Sequence, residues 1–137
     1  MQNLVQLATR DQTDRASEIT WKSGMLKIEA IIQASRFEDT KAALEALDIR
    51  ELIVSEVMDH GHGYATNFYR GAEYHAPIGR IKLEMLVSND AMDSVISSVM
   101  RAARTRVPGD IDGRILVYEV ADAINIHSGE HLQYVTA

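Results

Sequence analysis

The amino-acid sequence predicts an α+β domain of element order βαββαβ, and three observations carry the prediction. Leu26 to Ile32 (LKIEAII) and Ile81 to Val87 (IKLEMLV) alternate polar with apolar residues, the period of a strand with one buried face. Two other segments, beyond Ser35 and beyond Asn89, repeat apolar residues every three or four positions, as helices do. Between the second and third strands lies DHGHGYATNFYRGAEYHAPIGR, Asp59 to Arg80, far longer than an ordinary connection.

Taken in order, Met1 to about Ser23 holds only a weak pattern. Leu4, Val5 and Leu7 suffice for one helical turn, and polar sequence follows. This extension (residues 1–24) is expected to be mobile or loosely docked; the alternative is a short helix anchored by Ile19 and Trp21. The first strand comes next. Ser35 and Glu38 then have capping-box spacing, and Glu38 and Asp39 suit the positive end of a helix dipole. Phe37, Thr40, Leu44 and Leu47 line one face of that helix. Ile49 to Val57, rich in β-branched residues, is the second strand.

After the third strand, Asn89 or Asp90 is expected to cap a second helix, with Met92, Val95, Ile96, Val99 and Ala103 in one stripe. Thr105 to Gly113 (TRVPGDIDG) is turn-rich, and Ile115 to Val120 is the fourth strand. This order is the ferredoxin-like split βαβ arrangement. Two helices are not expected to hide Ala30, Ile32, Leu83 and Met85 along with their strand neighbours, so packing between subunits is anticipated.

The long loop is too glycine-rich for a helix, and its apolar residues keep no strand period. Disorder favours polar sequence without aromatics, whereas this loop carries Tyr64, Phe68, Tyr69 and Tyr74 around Arg70 and Glu73. It reads as a docking element.

Composition narrows the function. At 137 residues the chain suits one domain with one core. It lacks cysteine, which removes disulfides and thiolate metal sites. A net charge of −6 argues against generic nucleic-acid binding. No segment reads as a membrane span or leader, so the chain is expected to be cytoplasmic.

Tyr69-Arg70-Gly71-Ala72-Glu73-Tyr74 resembles the T-loop signature of the PII signal-transduction proteins, trimeric sensors of energy and nitrogen status. Further motifs fall in the family's order. They are Lys27 to Ile32, Val54 to Val57, Ile81 to Glu84, Arg101 to Thr105, Asp112 to Ile115 and Ser128 to Glu130. The resemblance covers about Met25 to Glu130. It implies a homotrimer with sheets facing inward, a T-loop at about 59–80, a B-loop at about 105–114 and a C-loop at about 121–131, all within a domain of residues 25–137.

It also implies that ATP, ADP or AMP binds between subunits. Thr105, Gly109, Asp110, Asp112, Gly113 and Arg114 stand where the family cradles phosphates: glycines allow close approach, amides point inward and a cation closes the site. Ile31, Ile53, Glu84 and Leu86 occupy further nucleotide-lining positions. Arg106 replaces a family glycine. Asn125 and His127 hold positions where the family commonly has two arginines, and each lost charge-assisted contact is worth ~1.5–3 kcal/mol. Weaker triphosphate binding is therefore expected, with ADP or AMP competing better.

At the base of the loop, Gly61, His62 and Gly63 replace the region where a family glutamine helps bind 2-oxoglutarate through magnesium on ATP. Gly63, the nearest equivalent, has no ligating side chain. Arg80 stands in place of an effector-contacting lysine. A small oxyanion such as bicarbonate, held by His62 and Arg80, is the alternative effector, which suggests inorganic-carbon or carboxysome metabolism. Tyr74 matches a tyrosine that is uridylylated in some members; otherwise it docks, as Tyr69, Arg70 and Glu73 do.

His60, His62 and His75 also raise metal binding. An HxH pair without carboxylate or thiolate partners is a poor closed site, and solvated loop histidines are the simpler account. Glu84 and Asp112 are candidates to position water in a hydrolase, but no nucleophile–base pair accompanies them, so the chain is expected not to be an enzyme. The expected partner is a membrane transporter or enzyme gripped by the T-loop. The remaining alternatives are a nitrogen-regulatory protein controlling ammonium uptake, and a scaffold with a degenerate nucleotide site.

Overall fold

The computed structural model describes residues 24–60, 65–69, 72–106 and 112–132. Its elements run β1 (Met25–Gln33), α1 (Phe37–Ala46), β2 (Ile53–Asp59), β3 (Ala65–Tyr69), β4 (Ala72–Ala76), β5 (Ile78–Ser88), α2 (Met92–Ala103) and β6 (Gly113–Glu119). Strands β1, β2, β5 and β6 form an antiparallel sheet in the order β2-β5-β1-β6, the expected ferredoxin-like arrangement. Strands β3 and β4 form a separate two-stranded ribbon.

Strand alternation decides the faces. Leu26, Ile28, Ala30 and Ile32 of β1 and Leu83, Met85 and Val87 of β5 turn to the helices. There they pack with Leu44 of α1 and with Met92, Val95, Val99 and Ala103 of α2, the predicted stripe; Phe37 and Ile96 pack at the margin. Arg36 Nε donates to the Ala102 carbonyl at 3.0 Å, tying the start of α1 to the end of α2.

The expectation that Ala30, Ile32, Leu83 and Met85 need a neighbouring subunit is corrected. All four are 3% exposed or less within one chain. They lie on the two central strands, directly beneath both helices. The helix-free face is the one left open. At its centre Lys27 Nζ lies 3.4 Å from Glu84 and 3.7 Å from Glu29, and Lys82 Nζ lies 3.6 Å from Glu84. Lys27 also sits 5.1 Å above the Tyr118 ring, a cation–π contact.

The predicted caps do not form. A 3-10 turn, Ala34–Arg36, precedes α1, whose N-cap is Arg36 with no side-chain cap bond. A second such turn, Asn89–Ala91, precedes α2, whose N-cap Ala91 likewise makes none. In both places the chain tightens into a turn and absorbs the residues that were expected to cap. Helix α1 ends in a Schellman motif instead. The Ile49 amide donates to Leu44 O at 3.0 Å and the Asp48 amide to Glu45 O at 2.9 Å, with Asp48 left-handed at φ 68°. That turn moves Leu47 off the helical face and leaves it exposed, and it delays β2 to Ile53.

The long loop was expected to lack strand structure, and that reading is corrected too. Tyr69 pairs with Ala72 and Ala65 with Ala76, so β3 and β4 make a five-pair ladder. Strand β5 already begins at Ile78, three residues earlier than expected, because β2 extends to Asp59 and pairs with it there.

Candidate functional site

The site is built where side chains of β2, β5 and β6 meet at one end of the helix-free face. Asp59 is the last residue of β2, and Arg80 enters β5 from the far side of the loop. Arg80 Nε donates to Asp59 Oδ2 at 2.7 Å, with both side chains almost fully buried. Arg114 of β6 reaches across the sheet, and its Nη1 lies 3.4 Å from the same Oδ2. One buried carboxylate thus faces two guanidiniums, and the surplus positive charge rests on Arg114, whose side chain is 39% exposed.

The next layer is the exit of the loop before β6. Thr105 Oγ1 donates to Asp112 Oδ1 at 2.7 Å, closing the two ends of that loop on each other. Gly113 follows with φ 111°, where a Cβ would overlap the Ile31 carbonyl oxygen. Only glycine fits this close approach of β6 to β1. Arg104, Asp112, Gly113 and Arg114 border a cleft of about 420 Å³ whose other walls are apolar residues of α2, β1 and β6. Ile31, buried, lies opposite Arg114 on one side and Lys82 on the other.

Ile53, Glu84 and Leu86 gather elsewhere. They line a hollow of about 950 Å³ with Lys27 and the segment from Asp48 to Leu52. Ile53 is directly opposite Glu84 in the β2–β5 register. Within one chain Asp112, Gly113 and Arg114 therefore stand on one side of β1, and Ile53, Glu84 and Leu86 on the other.

Asn125 and His127 belong to neither group. They sit in a small C-terminal hairpin closed by the Ile124–His131 bridge. Asn125 Oδ1 accepts from the Ser128 amide at 2.9 Å, so that side chain organises its own turn, and His127 is exposed. At the hairpin neck His131 Nδ1 donates to Asp122 Oδ2 at 2.8 Å. This hydrogen bond holds the Asp122 carboxyl below its ordinary range, against an opposing effect of desolvation and with smaller help from the Ala123 amide and the His131 charge.

Gly61, His62, Gly63, Arg70, Gly109 and Asp110 lie outside the described residues, as do the side chains of Tyr69, Glu73, Tyr74 and His75. His60 is described and exposed. The residue that sequence reasoning missed is Asp59. A signal existed, since an acid and an arginine bracket the long loop, but their separation of 21 residues hid the pairing.

Comparison with known proteins follows the same outline. The family model "Nitrogen regulatory protein P-II" matches residues 25–130. The chain is 37% identical over 108 residues to the nitrogen regulatory protein P-II of Klebsiella oxytoca, covering 77% of this chain and 95% of that one. The P-II 1 protein of Escherichia coli K12 matches with the same identity and coverage. Among solved structures, Arabidopsis thaliana PII bound to citrate superposes with a TM-score of 0.62 at 32% identity, covering 80% of this chain and 89% of that one. Loop signature, sheet order and sequence identity agree, and the chain belongs to the P-II family of nitrogen regulatory, signal-transducing proteins.

Proposed function

We propose that this protein is a homotrimeric signalling regulator, not an enzyme, that binds adenine nucleotides between subunits. On binding it changes the set of its long loop and thereby its grip on a partner protein. The observation that carries this reading is the approach to β6: a Thr105–Asp112 clasp, a glycine where no Cβ fits, and a partly exposed arginine at the mouth of a cleft. Those are the parts a phosphate needs: close backbone approach and a cation. The two separated groups of lining residues support a shared site. One chain supplies the phosphate end, and the hollow around Ile53, Glu84 and Leu86 on a neighbour receives the base.

ADP and AMP are the preferred ligands in this reading, because the C-terminal hairpin offers Asn125 and His127 instead of guanidiniums. The second effector is a small oxyanion such as bicarbonate. Gly63, at the nearest equivalent of the family glutamine, has no side chain to ligate magnesium, which disfavours a dicarboxylate bound through Mg-ATP. Nitrogen control through 2-oxoglutarate and Mg-ATP is the rival reading, favoured by the similarity to nitrogen regulatory proteins of Klebsiella oxytoca and Escherichia coli.

Isothermal titration separates the two. Micromolar ADP binding, with no enhancement of ATP binding by 2-oxoglutarate and magnesium, is the expected result. Strong synergy between 2-oxoglutarate and Mg-ATP would establish the rival, and a flat titration with all three nucleotides would remove the nucleotide site altogether.

A further inference from the structure

Asp59 makes no sense as a mere surface acid. It is 6% exposed, terminates the strand that leads into the long loop, and accepts from the arginine that leads out of it. The two legs of the loop are therefore joined by a buried ion pair as well as by the β2–β5 ladder, which runs to Asp59 opposite Ile78. The same oxygen, Oδ2, is also approached by Arg114, a cation that belongs to the phosphate end of the site. The two contacts differ in kind. That with Arg80 is short and buried on both sides, whereas that with Arg114 is 3.4 Å long and the arginine is 39% exposed. Arg114 thus makes the more exchangeable of the two contacts, and Asp59 is anchored by its short, buried bond to Arg80.

We propose that Asp59 is a positioning residue that couples the anion site to the hairpin by sharing Arg114 with a bound phosphate. Without ligand, Arg114 leans on Asp59 and adds a third strand to the staple. A phosphate at the mouth of the cleft offers Arg114 a doubly charged acceptor, and Arg114 turns to it. Asp59 is left to Arg80 alone, its carboxylate re-centres on that guanidinium, and the two legs of the loop shift at their root. The β3–β4 ribbon, carried on those legs, reports the change. No bond is made or broken, so the device is reversible and responds only to occupancy. Its strength is bounded by the difference in what Arg114 gains in the two states. This coupling rests on the nucleotide-binding reading above and specifies its route.

The test pairs calorimetry with amide hydrogen exchange of residues 65–69 and 72–76, with and without ADP, on the full chain. Asp59→Asn alone removes the buried anion beside Arg80 and risks misfolding, so the informative variant is the double substitution Asp59→Asn with Arg80→Gln, which removes both buried charges together. In the wild type, ADP is expected to change exchange in the ribbon at least about threefold, an effect size well above ordinary fraying. In the double variant, ADP binds up to about fivefold tighter, the scale of one partly exposed ion pair removed from competition. The ribbon's exchange ratio then falls to about one.

A staple with a purely structural role would loosen the ribbon with and without ADP and leave affinity unchanged, which overturns the proposal. So does a wild-type ribbon indifferent to bound ADP, or a double variant with the full response. A wild type that binds no ADP is a different failure: it overturns the reading of the site itself, and the coupling with it.

Discussion

Gly113 sits at φ 111° with its Cα against the Ile31 carbonyl, and no side chain can occupy that space without moving β6 away from β1. Gly113→Ala should therefore distort the strand entry and displace Arg114. The expected outcome is a loss of ~2–4 kcal/mol in urea unfolding and no measurable nucleotide binding. Gly79 makes a fair control: an added Cβ there meets only the Met58 sulfur, at 3.9 Å, so Gly79→Ala should be close to neutral. Asp48 poses the opposite problem. It holds a left-handed conformation at the end of α1 although it has a Cβ, and its carboxylate contacts Arg50 at the exposed surface. Asp48→Gly relieves the backbone and forfeits little, so thermal unfolding should rise by the equivalent of about 0.5–1 kcal/mol.

Among the elements, the C-terminal hairpin is held at its neck by an exposed acid–histidine pair rather than by a core. Asp122 titrates below its ordinary range because of that contact, so its contribution is fully present above the unfolded aspartate value and is lost as pH falls through the lowered one. A carboxyl-resolved NMR titration should show Asp122 protonating below the ordinary aspartate range. In His131→Ala the midpoint should move up toward the ordinary range, and the amides of Asn125 and Leu132 should exchange faster. The β3–β4 ribbon escaped the sequence for a related reason. A two-stranded ribbon outside the main sheet has no core face to impose alternation, so five-residue strands read as irregular loop. Caps were misplaced because Ser35 and Asn89 were credited with intrinsic preference, whereas the chain turned through 3-10 geometry at both points.

At the scale of the whole molecule, one sheet face is sealed by helices and the other is left with Ile53, Leu116 and Tyr118 exposed around a charged centre. The C-terminal hairpin adds Ile124, Ile126 and Leu132, with Ile126 fully exposed. Apolar surface of that extent is what subunit association covers. Analytical ultracentrifugation should return three times the 15.3 kDa chain mass, and Leu116→Asp with Tyr118→Asp should drive it toward a single subunit. A monomeric wild type would contradict both the assembly and the shared nucleotide site.

Sequence alone determined the order of the four sheet strands and two helices, the apolar stripe of α2 and the alternation along β1 and β5, because a period of two or of 3.6 is local and repeats. It also marked Thr105, Asp112, Gly113 and Arg114 as parts of one loop exit, since they are neighbours along the chain. Only the tertiary structure decided that Asp59, Arg80 and Arg114 meet at one oxygen atom, and that Ile53, Glu84 and Leu86 stand apart from them. Contacts of that kind depend on which strands lie side by side in the sheet and how far a side chain can reach across them, and neither quantity has a period to be read.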